Sequence, residues 1–494
     1  MLQRNKFIQF ILFGVIILFI IYFFRSSYLY LLGATGLLAI LYVTIPKFEL
    51  AFIALYILRL FSGLLRLGIG SGRIQVLFYF LCLSLLFIAY RKSNKQYPNR
   101  IIFFFTLLCV LEGIHYLLYP FTNPQPLATK DWMINSLVLF GATFLPFYAI
   151  VRAVNTKKCL VNLVSILIFF ATLESLFAII QFIHPETIKM GIRIGVITDR
   201  MNFTGIRNYF GYIFPGIFSK SMIAVLGTMG CHNSLGNFLL FLTPLSIVMT
   251  VYKTRWNIAK VGFLLLAGLN VSALFLTFSR QSHIGFLFAL LVMSFVSKFR
   301  FRFAVAFMLI ILIVLIFFGD YLGNLKMVYL DYYSAVGGNL PGRTYQWAMA
   351  WRLIFTNPVT FFIGKGGSNY DGVWDSLVGY FAGPMNSYLS IWLLRGIIGL
   401  ILYGLLFYFV FKSLLFSYKN AHTPLLKVVS LGLIGGSAGF LISQVFDNKM
   451  TLPTIQKMTF FIFAGLSVAI ERMVRSPLRN QQKIASEKIQ TTIL

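Results

Sequence analysis

The chain has 494 residues, of which 59% are hydrophobic and only 11% charged, with a formal net charge of +29. A soluble surface needs roughly a quarter of its residues charged, so this composition excludes an ordinary water-soluble protein and makes lipid the solvent for most of the chain. It also removes nucleic acid as the explanation of the charge, since basic residues gather at the cytoplasmic ends of membrane helices.

Apolar runs of about 17–25 residues, long enough to span a bilayer, are predicted near 7–24, 28–45, 48–65, 74–90, 101–119, 132–152 and 159–183. They resume near 223–251, 259–278, 281–297, 301–318, 386–411, 426–446 and 456–471. The expected fold is an all-α polytopic membrane protein with about 14 transmembrane helices, within a range of roughly 12–14. The first run follows Arg4 and Lys6 and has no small-residue cleavage site after it, so it reads as a retained span rather than a removed signal peptide. The third is the weakest, because Arg59 interrupts it. Four regions follow: N-terminal helices over 1–158, a core over 159–411, C-terminal helices over 412–472, and a polar tail over 473–494 that is expected to be flexible.

Charge fixes the expected orientation. With the N-terminus inside, alternate connections collect compact basic clusters: Lys92, Lys95 and Arg100; Arg152, Lys157 and Lys158; Lys253, Arg255 and Lys260; Lys298, Arg300 and Arg302. The positive-inside rule then makes both termini cytoplasmic. The opposite face is unusually basic as well, with Arg66, Arg73, Lys189, Arg193, Arg200, Arg207, Arg280, Arg343, Arg352, Lys365 and Arg395. Cations in excess of the topological bias need a partner, and a phosphate or polyanion is the simplest.

Two extracytoplasmic segments are long. Residues 184–222 mix Arg207 and other basic residues with Phe, Tyr and Ile, which fits either an interfacial amphipathic stretch or an ordinary loop. Residues 319–384 hold Asp320, Asp331, Asp371, Asp375, Trp347, Trp351 and Trp374. A loop of that length with that aromatic content reads as functional rather than disordered. The halves of the chain show no repeat, which weakens a transporter reading.

Several positions carry candidate chemistry. In Thr277-Phe-Ser-Arg-Gln-Ser-His283, Arg280 is placed to fork phosphate oxygens or to anchor in headgroups, and His283 falls three residues on, within reach of the same helical face. In Pro341-Gly-Arg-Thr-Tyr-Gln-Trp347, Arg343 sits where a turn is predicted to enter a short helix, and Arg352 follows. Trp347 and Trp351 stand four apart, a spacing that serves packing or a sugar platform. Asn386, in Gly383-Pro-Met-Asn-Ser-Tyr388, suits a helix cap or a contact to sugar hydroxyls. Glu112 and Glu174 are carboxylates within spans, each able to pair with an arginine or to act as general base, with Asp371 and Asp375 as rivals on the loop. No nucleotide-phosphate loop, dinucleotide fingerprint or zinc motif appears, so no cofactor is expected and a donor already activated on a lipid fits better than ATP. The four cysteines, Cys82, Cys109, Cys159 and Cys231, show no paired or metal-ligand spacing.

At these residues the sequence resembles the O-antigen ligase/polymerase superfamily of bacterial surface-polysaccharide enzymes. The resemblance rests on Glu174-Ser-Leu-Phe-Ala-Ile-Ile-Gln181, on Gly230-Cys-His-Asn233 leading to Pro244, and on Thr277-Phe-Ser-Arg280. Gly342-Arg343 to Trp347, Asn386-Ser-Tyr388 and Gly396-Ile-Ile-Gly399 complete it, over roughly residues 165–405. It implies a metal-independent glycosyltransferase of the bacterial cytoplasmic membrane, with its active face extracytoplasmic. The implied partners are an undecaprenyl-pyrophosphate-linked glycan donor, a glycan acceptor and membrane lipid, with or without a chain-length regulator. Arg280 and Arg343 map to the family arginines that hold the pyrophosphate. Ligases carry a His before the Asn that opens the span after the large loop; here that position is Met385. The expectation is therefore a polymerase first and a ligase second, with a lipid-linked oligosaccharide flippase as the alternative of another class. His283 or an acidic residue such as Glu174 then takes the base role.

Overall fold

The computed structural model describes residues 99–122, 144–183, 232–252, 258–297 without 278, 343–366, 384–448, 450 and 455–493, with short pieces at 48–49, 52–53, 225, 227 and 229. The helices are α1 (Arg100–Thr122), α2 (Phe144–Ala153), α3 (Lys157–Ile183), α4 (His232–Tyr252), α5 (Ile258–Leu276) and α6 (Arg280–Val296). They continue with α7 (Arg343–Thr356), α8 (Pro358–Phe362), α9 (Ser387–Asn420), α10 (Pro424–Ser443) and α11 (Ile455–Ile493). No strand occurs among the described residues. By length and composition, the helices over Lys157–Ile183, His232–Thr250, Ser387–Asn420 and Pro424–Ser443 are able to cross a membrane, and three shorter apolar helices accompany them. The chain is an all-helical integral membrane protein in its described part. Apart from residues 48–49 and 52–53, the apolar runs expected before residue 99 lie outside the described residues, as does the run at 301–318.

Where runs and helices are both on view, lengths differ for local reasons. The run at 223–251 gives a helix only from His232, because Gly227 takes a left-handed φ of 58° in the turn before it. Through the tail over 473–494, α11 continues to Ile493. Its Arg, Gln, Lys, Ala and Glu residues are good helix formers, and helix propensity outlasts the apolar run.

The bundle centres on α10, which packs along both α4 and α6. Bare glycines permit this: a Cβ at Gly285 of α6 would stand 2.5 Å from the Gly439 carbonyl oxygen, and one at Gly439 would stand 2.5 Å from that of Gly285. Such close backbone approach is how helices associate where no hydrophobic drive separates them from lipid. In mid-bundle a polar tie joins three helices. The Ser175 hydroxyl of α3 lies 2.8 Å from Asn270 Oδ1 of α5, and Asn270 Nδ2 donates to Ser246 Oγ of α4 at 3.0 Å.

α9 is broken. Gly396 has φ 66° and ψ −176° inside the 34-residue element, which interrupts the i→i−4 ladder. The carbonyls of Leu393 and Leu394 accept instead from the amides of Lys365 (2.8 Å) and Gly366 (3.0 Å), in the strand of chain that follows α8. α7 and α8 thereby dock on the first half of α9, where Ala350 and Ile354 pack with Leu389, Leu393 and Leu394 in a small core of their own.

Candidate functional site

The end of the bundle where α4, α6 and α9 begin and α5 and α10 finish carries Arg280, Asn233 and Asn386, three of the polar residues singled out by sequence. Thr277 and Ser279 form the turn between α5 and α6, and Ser279, buried and extended, precedes α6. Its hydroxyl donates to Asn233 Oδ1 of α4 (2.9 Å) and lies 2.9 Å from Ser282 Oγ. Arg280 is the first residue of α6 and is exposed. An arginine on a helix N-terminus combines a guanidinium with the positive end of the helix dipole, and both favour an anion. Asn233 is thus joined to the turn that presents Arg280.

Below Arg280, Asp447 organises the network. Its Oδ2 accepts from Gln281 Nε2 of α6 (2.6 Å) and from Asn237 Nδ2 of α4 (2.8 Å), and its Oδ1 accepts from the Asn448 amide (2.8 Å). Gln444, just before it, accepts the Ser387 amide on its carbonyl (2.9 Å) and the Ser387 hydroxyl on Oε1 (2.8 Å), which ties the start of α9 to the same segment. Asp447, Gln281 and Asn237 were not among the sequence candidates. The signal was present as Gln444, Asp447 and Asn448 close together at the end of the apolar run near 426–446.

Asn386 caps α9, its Oδ1 accepting from the amides of Tyr388 (3.0 Å) and Leu389 (3.1 Å). Met385 before it has φ 37°, a left-handed conformation rare for a side chain of this kind. Arg343 opens α7, and Trp347, one turn on, has its ring 6.4 Å from Phe446, the neighbour of Asp447. The first turn of α7 therefore stands over the Asp447 segment. Beside this contact, Gln346 Oε1 and Trp347 Nε1 are buried with no hydrogen-bond partner among the described residues. Arg352 lies further along α7 and is exposed.

The remaining candidates sit elsewhere. His283 points back to α5, with Nε2 3.1 Å from the Leu274 carbonyl oxygen and its ring stacked on Phe275 at 4.9 Å. Glu174 is buried against the turn before α4; a Cβ on Gly227 would stand 2.5 Å from Glu174 Oε2. Gln181, two turns after Glu174, holds Gly227 with both ends of its amide, accepting from its N–H (2.9 Å) and donating to its carbonyl (3.1 Å). The Glu-to-Gln helix thus shapes the entry to α4.

Glu112 belongs to a second cluster. Its Oε2 accepts from Arg395 Nη2 (2.6 Å) and Nε (2.9 Å), and its Oε1 lies 3.3 Å from the Tyr403 hydroxyl. One turn away His115 holds the Ile363 carbonyl at 2.6 Å through Nε2. Arg395 directly precedes the kink, so this pair braces the break in α9 where the α8 segment docks. Burial also pulls the Lys365 ammonium below the ordinary lysine range. Arg207 and Asp371 lie outside the described residues.

Residues 263–404 match a protein-family model described as O-antigen ligase. The chain carries a domain of the O-antigen ligase/polymerase superfamily. This O-antigen ligase-type domain includes Arg280, His283, Arg343, Trp347, Arg352, Asp371, Asn386 and the Gly396 kink. Glu112, Glu174, Arg207, Asn233 and Asp447 fall outside the matched segment. No curated protein matches the chain. The match supports a membrane enzyme of the O-antigen ligase/polymerase type.

Proposed function

We propose that the protein polymerises undecaprenyl-pyrophosphate-linked repeat units of a bacterial surface polysaccharide at the outer face of the cytoplasmic membrane. The observation that carries this reading is the meeting of the Ser279-Arg280 turn, the Asp447 network and the first turn of α7, which begins with Arg343, at one end of the bundle. Two arginines there suit a pyrophosphate, since guanidinium groups fork phosphate oxygens and a fixed cation stabilises charge developing on a leaving group.

In this reading the acceptor sugar hydroxyl attacks the anomeric carbon of the donor. The bond from that carbon to the pyrophosphate oxygen breaks, the new glycosidic bond forms, and undecaprenyl pyrophosphate leaves with the bond's electron pair. Arg280 and Arg343 hold the leaving group. Asp447 fixes Gln281 and so the register of the first turn of α6. The hydroxyl proton goes to a base, for which His283 and Glu174 are the candidates. A neutral His283 imidazole that donates from Nε2 to the Leu274 carbonyl keeps an acceptor at Nδ1. In the same reading Asn233, Arg352, Arg207, Asp371, Trp347 and Asn386 are the proposed contacts to the glycan or its phosphates, Asn386 in addition to its capping role. Ligation to a separate acceptor is the second reading, favoured by the description of the matching family and opposed by Met385 at the ligase histidine position.

The test is to incubate purified protein with undecaprenyl-pyrophosphate-linked repeat units and resolve the products by length. A ladder that disappears in Arg280→Ala and in Arg343→Ala, at unchanged protein level and melting temperature, supports the assignment. Wild-type ladders from both variants would sink it. Transfer only when a separate core acceptor is supplied makes the protein a ligase.

A further inference from the structure

The helix pair α7–α8 has one face that the other described residues leave largely uncovered. On that face Trp351, Phe355, Val359, Phe362 and Ile363 are 43%, 59%, 60%, 55% and 48% exposed. Trp351 stacks on Phe355 with ring centroids 5.4 Å apart, and both meet Trp392 of α9 edge-on. Bathed in water, such a cluster would be a large apolar patch with a standing cost and a tendency to aggregate.

Its position argues for another solvent. The chain just after α8 bonds to the Leu393 and Leu394 carbonyls, the second of them seven residues into α9. At 1.5 Å per residue that is about 10 Å below the start of the helix, a depth that belongs to the boundary between headgroups and acyl chains. The exposed face is also continuous with surface that must meet lipid. Ile398 and Ile401, just beyond the kink on a helix long enough to cross the membrane, are 46% and 53% exposed. Next to the same site His115 of α1 grips the Ile363 carbonyl, and Ile114 beside it is 46% exposed. Arg352, exposed between Trp351 and Phe355, supplies the cation that an interfacial helix sends toward headgroup phosphates.

We propose that the aromatic face of α7–α8 is seated in bilayer hydrocarbon at the headgroup boundary, making this pair a re-entrant, lipid-anchored element rather than a water-exposed loop. The polar edge of α7, which begins at Arg343, then rides at a height set by the lipid on one side and by the kink of α9 on the other. This inference rests on the membrane-spanning fold and not on which glycosyl transfer the protein performs.

Two measurements in lipid nanodiscs test it without any activity readout. Nitroxide labels at Phe355→Cys and Phe362→Cys are expected to be relaxed strongly by oxygen and weakly by a water-soluble nickel chelate, matching a lipid-facing control at Ile401→Cys. Strong relaxation by the nickel chelate would show water and overturn the proposal. Weak relaxation by both reagents would show a protein partner or a second copy and overturn it equally. The second measurement keeps the native cysteines. The fluorescence lost in Trp351→Phe is expected to be the fraction quenched by phospholipids brominated high on the acyl chains. Equal quenching in the variant and the parent would place Trp351 outside the lipid and reject the proposal.

Discussion

Two buried carboxylates of this protein are satisfied in opposite ways. Glu112 receives a guanidinium, through two nitrogens of Arg395, at the break in α9. Asp447 receives amides: two from the side chains of Asn237 and Gln281 and one from its own chain at Asn448. A carboxylate closed by a guanidinium is electrically quiet and serves as a strut. One that gathers amide donors fixes side-chain positions, here those of Asn237 and of Gln281, the neighbour of Arg280. The first cluster governs where the α7–α8 segment docks, and the second governs how the first turn of α6 is aimed.

The contrast breaks most sharply at Arg395. Replacing Arg395 with Leu leaves the Glu112 carboxylate buried beside the kink and is expected to cost about 3–5 kcal/mol of stability. The loss is read as a lowered melting temperature in detergent or nanodiscs, and Glu112→Leu placed in the same chain is expected to restore much of it. A single Arg395→Leu variant that melts like the parent would remove the strut from the comparison. Asp447→Asn is isosteric, but its amide nitrogen meets amide donors where an acceptor stood. Its expected cost is smaller, about 1–3 kcal/mol, with chain elongation falling far more than the melting temperature. If elongation is unchanged, Asp447 has no part in aiming α6. Smallest is Asn386→Ala, which removes the cap of α9 and is expected to cost about 1 kcal/mol. Earlier exchange of the Tyr388 and Leu389 amides with solvent deuterium would register it, and unaltered exchange at both would deny the cap its role.

Helical class and much of the order of elements were legible because a bilayer demands long apolar runs, and those runs survive in composition alone. The Ser279-Arg280 turn was legible for a related reason: a charged residue between two close apolar runs has few places to be. The pairing of Glu112 with Arg395 was not, since the partners are 283 residues apart and nothing local in either helix names the other. Sequence offered ion pairing as one use of Glu112 without giving the arginine. Asp447 was missed because short polar connections between spans are common, and only the fold sets this one against α4 and α6. The cap at Asn386 and the helix beginning at Arg343 were both anticipated from local residue types, where caps and turns are decided.

The bonds from Lys365 and Gly366 to the broken stretch of α9 bear on mobility. A segment held only by side chains can swing aside, and its neighbours close over with lipid. Here withdrawal would take the Lys365 and Gly366 amides from two main-chain carbonyls at a break in the helix ladder, and leave the one at Leu393 without the donor the kink denies it. The α7–α8 segment therefore completes α9 as a missing strip of its backbone.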